Sequence, residues 1–226
     1  MPRFNNCSCS HCPLAELDII HADDTLLVLN KPAGLLSVPG RGEDKQDCLS
    51  RRAVQQYPDA LVVHRLDMAT SGLLVMARGT VAQRSLNDAF AARAVHKHYE
   101  AVVDGVLSAS GANWQLIELP IFLDWPNRPR RIVDGLHGKP SSTYWQVVDT
   151  NHMLGTSRLA LVPVTGRSHQ LRVHLLAIGH PILGDMLYAP ARVAALSSRL
   201  LLHACALEFV HPASQQSVRF VSPAPF

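Results

Sequence analysis

Charge is scarce in this chain. Only 17% of its 226 residues are Asp, Glu, Lys or Arg, and 21 basic against 18 acidic side chains leave a net charge of +3. That balance permits a polyanionic partner without demanding one. Long apolar runs are also missing. None approaches the ~18–20 residues that a helix needs to cross a bilayer, so no membrane span is expected. The first residues, Met1-Pro2-Arg3-Phe4-Asn5-Asn6, lack the apolar core of a secretory signal, and a cytoplasmic location is the expectation. There is no internal repeat and no low-complexity linker. What is plentiful is apolar side chain: 47% of the residues are hydrophobic, enough for a substantial core and too many for global disorder.

Cysteine is sparse, and three of the five crowd one end: Cys7, Cys9 and Cys12, with His11 among them. In a reducing compartment these are thiols. They form no usual structural zinc pattern, which sets two ligand pairs apart along the chain. Four ligands packed this tightly can hardly all reach one tetrahedral ion. Residues 1–19 are expected to form a loose tail without a bound metal. Elsewhere there is no H-E-x-x-H for a metal hydrolase, no G-K-[ST] after the glycines near Gly34 for a P-loop, and no D-F-G or glycine-rich loop for a kinase.

Strand-like runs dominate. They are Thr25 to Leu29, Leu61 to Val63, Leu73 to Ala77, Tyr99 to Val103, Gln115 to Leu119, Tyr144 to Val148, Arg158 to Pro163, Leu200 to Phe209 and Ser217 to Val221. Helical spacing appears over Val81 to Arg93, with Thr80 placed to cap it, over Gln170 to Ile178, with Ser168 placed to cap it, and briefly over Ala191 to Ser197. Strands and helices do not alternate strictly. The pattern predicts an α+β fold with a mixed, largely antiparallel sheet.

The most informative stretch is Val63-His64-Arg65-Leu66-Asp67-Met68-Ala69-Thr70-Ser71-Gly72-Leu73-Leu74-Val75. Two short apolar runs flank a loop that carries a cation and an anion two residues apart. Extended residues two apart face the same way, so Arg65 and Asp67 are expected to share a site, and charges at the end of an apolar strand need partners. Read from residue types alone, this is equally a salt-bridged turn. A second block, Thr165-Gly166-Arg167-Ser168-His169-Gln170-Leu171-Arg172-Val173-His174-Leu175, opens a helix. Arg167 and Arg172 lie near its positive end, against the macrodipole, which suggests an anion nearby.

The first block resembles, without a gap, the central motif of the RluA family of pseudouridine synthases, H-R-L-D-x-x-T-S-G-L-L-V. The second resembles that family's T-G-R-[ST]-H-Q-[IL]-R-x-H, and Lys97-His98-Tyr99 resembles its K-x-Y. Asn30-Lys31-Pro32-Ala33-Gly34-Leu35 is similar to its N-K-P-x-G-L. Asp124-Trp125-Pro126-Asn127-Arg128-Pro129, Gly138-Lys139-Pro140 and Gly179-His180-Pro181-Ile182-Leu183-Gly184-Asp185 resemble a dual-specificity subgroup of the family. The likeness runs from about Asp23 to Phe226. It departs in the cysteine-bearing tail and at loop positions such as Ser108 to Asn113.

The resemblance implies the pseudouridine synthase fold, a mixed sheet in two halves with the active site in a cleft between them. It places residues 20–226 in the catalytic domain, with too little chain ahead of Ile20 for the S4 RNA-binding domain that some members carry. It implies an isomerase that converts uridine to pseudouridine with no net redox change and no cofactor. Asp67 is the catalytic residue it implies. Arg65 enters the gap left by a flipped nucleotide, Tyr99 lines the uracil pocket, and Arg172 pairs with Asp67. Leu171 and His64 join the substrate site. Arg128, Arg130, Arg131 and Arg167 are expected to hold RNA phosphates, which sets register rather than base identity. The implied partners are structured RNA, namely a 23S rRNA hairpin and a tRNA anticodon stem-loop, met by a monomer. A non-catalytic RNA-binding relative would have lost Asp67, Tyr99 or Arg172, and all three are present.

Overall fold

The strand Ser71–Arg78 is apolar at almost every position, and all but its last residue are buried. A strand with two buried faces needs cover on both, and the computed structural model, which describes residues 16–108 and 113–226, supplies it. In chain order the strands are β1 (Ile19–Ala22), β2 (Leu26–Lys31), β3 (Ala60–Val62), β4 (Ser71–Arg78), β5 (His96–Asp104), β6 (Gln115–Glu118), β7 (Ile121–Leu123), β8 (Arg131–Val133), β9 (Ser142–Asn151), β10 (Thr156–Pro163), β11 (Leu202–Val210) and β12 (Ser217–Val221). The helices are α1 (Leu49–Gln56), α2 (Thr80–Ala91), α3 (Gln170–Ala177) and the single turn α4 (Ala191–Ala194). The expected α+β class holds. None of these helices is long and apolar enough to cross a membrane.

One sheet runs through the molecule in the order β1-β2-β4-β11-β5-β10-β9-β6, with β3 beside β4 and β12 beside β11. Its pairings are antiparallel except one: β11 runs parallel to β4, through His203↔Ser71 and Ala204↔Gly72. That short pairing is the seam between two halves. In the first half the pleat sends alternate residues of β2 and β4 to opposite faces. Leu26, Val28, Leu73 and Val75 pack with Leu86 of α2. Leu27, Leu29, Leu74 and Met76 pack with Leu49 and Ala53 of α1. In the second half Ala101, Trp145, Val147, Leu159 and Leu161 pack with Leu171 and Leu175 of α3. Burial along β9 alternates, as in a sheet with one face on the core and one toward solvent.

The seam requires glycine at position 72. Its φ is +112°, and a Cβ there would lie 2.3 Å from the carbonyl oxygen of Ala204. Polar groups at the seam are satisfied: Ser71 Oγ meets His203 Nδ1 at 2.8 Å and is also bonded by Arg199, while His203 Nε2 reaches the carbonyl of Ser222.

Several sequence expectations change here. Helix α1 falls in a stretch for which no element was expected. Its signal was Leu49 and Ala53, four apart on the buried side. Arg52 there is held bidentately by Asp47 and is not free for phosphate. The β7–β8 hairpin was also missed, because three-residue strands leave almost no periodicity. Neither Thr80 nor Ser168 caps a helix with its side chain. Thr80 is the first residue of α2, and α3 begins after His169, whose backbone is left-handed at φ 58°. The Cys7, Cys9, His11 and Cys12 cluster lies outside the described residues.

Candidate active site

The chain from Val63 to Thr70, between β3 and β4, is irregular, and four separate ties hold it. Leu66 is buried and exchanges two hydrogen bonds with Ser37: the hydroxyl donates to the Leu66 carbonyl at 2.7 Å and accepts its N–H at 3.1 Å. The Met68 carbonyl accepts the Gly34 N–H at 2.8 Å. It also accepts from Lys31 Nζ at 3.1 Å, and that ammonium donates further to the carbonyls of Pro32 and Leu35. Lys31 is completely buried, and burial pushes its pKa down to about 8, partly offset by the negative charge of Asp67. At the other end His64 Nε2 accepts the Val75 N–H at 3.0 Å, and the ring stacks on Phe90. Burial, with the nearby charge of Lys97, pushes His64 down to about 3. It is therefore a neutral ring whose acceptor nitrogen orders the loop.

These ties leave Asp67 facing a cleft of about 1380 Å³ at the seam of the two halves. Its carboxylate is framed from α3 on both oxygens. Arg172 Nη1 lies 3.8 Å from Oδ2, and His169 Nε2 lies 3.9 Å from Oδ1. Tyr99, from β5, lines the same cleft and packs against the cores of both halves. Burial raises its phenol pKa, and the charge of Asp67 adds to that. Tyr99 therefore stays a neutral ring.

Arg172 has a closer partner than Asp67. Its Nε and Nη2 bond the carboxylate of Asp185 at 2.8 and 2.6 Å. Asp185, itself buried, also accepts the N–H groups of Leu187 and Tyr188. Burial alone would lower the guanidinium pKa, but bonding to Asp185 and its charge outweigh that and raise it. The implied Arg172–Asp67 pair is therefore one edge of a chain Asp185–Arg172–Asp67, in which Asp185 holds the arginine and the arginine faces the cleft. Tyr188 completes the wall. Its ring lies 4.9 Å under the Arg172 guanidinium, and its hydroxyl bonds His169 Nδ1 at 2.6 Å and accepts the Arg131 N–H at 2.8 Å. Asp185, Tyr188, Lys31 and His169 had no role in the sequence reading. The one signal for Asp185 was its place in the stretch Gly179 to Asp185.

The other expected residues fall out as follows. Arg65 is exposed at the cleft and forms no ion pair among the described residues. The strand ends at Val62, so the same-face argument linking Arg65 to Asp67 does not apply. Leu171 is buried at the cleft and in the core of the second half. Arg167 is exposed at the cleft, while its backbone N–H donates to Gln170 Oε1. Arg131 lines the cleft and carries a buried Nη1 with no hydrogen-bond partner. Arg130 sits 5.7 Å from the Tyr188 ring centroid. Arg128 stacks on Trp125 at 4.0 Å, out on the β7–β8 hairpin. No group of three or more metal-ligating side chains gathers among the described residues.

A mixed sheet of this form places the chain in a class of RNA-modifying isomerase, as its likeness to known proteins shows. The chain is 49% identical over 210 residues to the dual-specificity RNA pseudouridine synthase RluA of Escherichia coli K12, covering 93% of this chain and 94% of that one. It is 46% identical over 210 residues to RluA of Pasteurella multocida, with the same coverage. Among solved structures, human RNA pseudouridylate synthase domain containing 1 superposes with a TM-score of 0.75 at 29% identity, covering 94% of this chain and 85% of that one. Its domain containing 4 counterpart gives 0.70 at 26%, covering 92% and 88%. The family profile for RNA pseudouridylate synthase matches residues 25–177. The chain belongs to the RNA pseudouridylate synthase family and is an RNA pseudouridine synthase.

Proposed function

We propose that this enzyme isomerises specific uridines in stem-loops of 23S rRNA and in the tRNA anticodon loop, with Asp67 as the catalytic residue and no cofactor. The observation that carries the reading is the framed carboxylate: Asp67 stands at the cleft between Arg172 and His169, with the half-buried ring of Tyr99 in the same cleft. The reaction breaks the bond from N1 of uracil to C1′ and forms one from C5 to C1′. The C5 proton is lost and N1 gains one, so atoms and electrons balance within the nucleotide.

A base inside a stem-loop is out of reach and must leave its stack first. Arg65, exposed at the cleft, is placed to fill the gap. Tyr99 and Leu171 form the apolar bed for the uracil, and Asp67 supplies the anionic oxygen that acts on the nucleoside. His64 supports the site by holding its loop. Arg131 and Arg167 at the cleft, with Arg128 and Arg130 on the hairpin side, bind phosphates. The dual specificity in the name of the Escherichia coli relative supports two RNA classes. We place catalysis in residues 20–226 of an enzyme that acts as a monomer in the cytoplasm.

Mapping pseudouridine across cellular RNA with and without this protein is the test. Loss of pseudouridine at one or more rRNA and tRNA stem-loop positions is expected. Loss confined to one RNA class would remove the dual-substrate reading.

A further inference from the structure

Among the described residues, three other than glycine have positive φ: Arg93, His169 and Gln215. Arg93 follows the end of α2 and Gln215 sits in the β11–β12 turn, where left-handed backbone is ordinary. His169 directly precedes a helix, where extended backbone is the rule. A residue held in such a conformation costs on the order of 1 kcal/mol and persists only where its surroundings enforce it. The backbone is set by a turn, closed by the Gln170 N–H on the Arg167 carbonyl at 3.1 Å, with His169 in its third place, and the 2.6 Å hydrogen bond between His169 Nδ1 and the Tyr188 hydroxyl fixes the ring that this turn presents.

That contact also sets the direction of the ring's proton. The Tyr188 oxygen already accepts the Arg131 N–H, so its own proton has His169 Nδ1 as acceptor. The proton of a neutral imidazole then sits on Nε2, and Nε2 is the nitrogen facing Asp67 Oδ1 at 3.9 Å. Neutrality follows from burial, helped by the positive charges of Arg172 and Arg131 and opposed by Asp67 and Asp185.

We infer that His169, oriented by Tyr188, is a positioning residue that turns a fixed neutral N–H toward Asp67, so that the carboxylate faces Arg172 at 3.8 Å on one oxygen and His169 at 3.9 Å on the other. This rests on the reading of Asp67 as the catalytic residue. The consequence is directional: each oxygen of the aspartate faces a donor, and only one of the two donors is a full cation.

Two substitutions separate this role from backbone support. Asparagine tolerates left-handed backbone, and its short amide reaches the place of Nδ1 but not of Nε2. Glutamine is the poorer fit to that backbone, yet its longer amide reaches the place of Nε2. Under single-turnover conditions at saturating RNA, His169→Asn is expected to lose on the order of 100-fold in rate with RNA affinity within about threefold, and His169→Gln to keep its rate within about tenfold of the parent. Nitrogen-15 NMR of the imidazole reads the tautomer without reference to activity. Nε2 protonated and Nδ1 bare are expected in the parent, with that preference lost in Tyr188→Phe. An Nδ1-protonated ring in the parent overturns the inference, and so does a His169→Asn enzyme that turns over as fast as His169→Gln. Asp67→Asn is the control. If it keeps substantial turnover, the reading of Asp67 falls and this inference with it. If Asp67→Asn is inactive while asparagine and glutamine at 169 behave alike, the inference alone falls.

Discussion

Asp67 and Arg172 divide the labour between charge and position. Replacing Asp67 by Asn keeps the shape and removes the charge. Turnover should fall at least about a thousandfold while RNA affinity changes only a few-fold, measured by single-turnover assay and equilibrium binding. Comparable turnover by the variant would remove Asp67 from the chemistry. Arg172 is different, because its bidentate bond to Asp185 is buried. Removing one partner of such a pair leaves the other charge stranded, at a cost of roughly 3–5 kcal/mol. Arg172→Ala is therefore expected to lose both stability and turnover, and Arg172→Lys to recover part of each, since the charge stays and the fork is lost. Urea denaturation beside rate measurements checks it. An alanine variant of unchanged stability would mean that the Asp185 bond is not made in solution.

At the scale of elements, the loop between β3 and β4 is held by two side chains whose protonation is shifted in a definite direction. His64 is pushed down to about 3 by burial. Between that value and its ordinary 6.5 the unfolded chain binds a proton that the folded chain does not. Stability from this residue is thus complete above about pH 6.5 and is lost as pH falls toward 3. His64→Gln, which cannot take up that proton, should show a shallower loss of stability than the parent from pH 6.5 to 4. Lys31 carries another basic group shifted in the same direction, with the same sign of slope. Its ammonium is pushed down to about 8 from 10.5, so in that window the unfolded chain again holds more protons. The folded state is penalised below about pH 8 and gains on the order of 3 kcal/mol as pH rises toward 10.5. Relative to Lys31→Met, the parent should therefore become more stable between pH 8 and 10. Parallel stability curves for the two would show that Lys31 is not buried as a cation. The variant should also be slower, since the Met68 carbonyl beside Asp67 loses a donor.

For the whole molecule, the decisive feature is the seam. The two halves are joined in one sheet by the short parallel pairing of β4 with β11, and Gly72 is what lets the strands approach there. Gly72→Ala should destabilise by several kcal/mol, on the order of the largest single-site effects, because the clash is with backbone. A stable, active variant would show that the strands can part. The charge on the molecule is modest, so RNA attraction has to come from placement around the cleft. Arg167→Ala should weaken RNA binding and lower the slope of log affinity against log salt by about one. An unchanged slope would take Arg167 off the phosphate backbone. Deleting residues 1–16 should leave turnover intact if catalysis resides in residues 20–226, and a zinc-dependent loss would instead give the Cys7–Cys12 segment a role.

Most of the strands and the helices α2 and α3 were legible in the chain because their signals are local: period-two and period-3.6 apolar spacing. The sequence by itself determined a strand-rich α+β protein, while Asp67, Tyr99 and Arg172 stood out through the family motifs that carry them, since residue types alone left the 64–67 segment equally a salt-bridged turn. The tertiary structure alone decided what those charges touch. Lys31 reads as a turn residue until the fold wraps three carbonyls around it. Asp185 reads as a loop acid until it meets Arg172. His169 reads as a helix-start residue until Tyr188, far along the chain, turns its ring toward Asp67. Each of these depends on a contact between segments that follow no common period, and a contact of that kind exists only once the packing has brought the segments together.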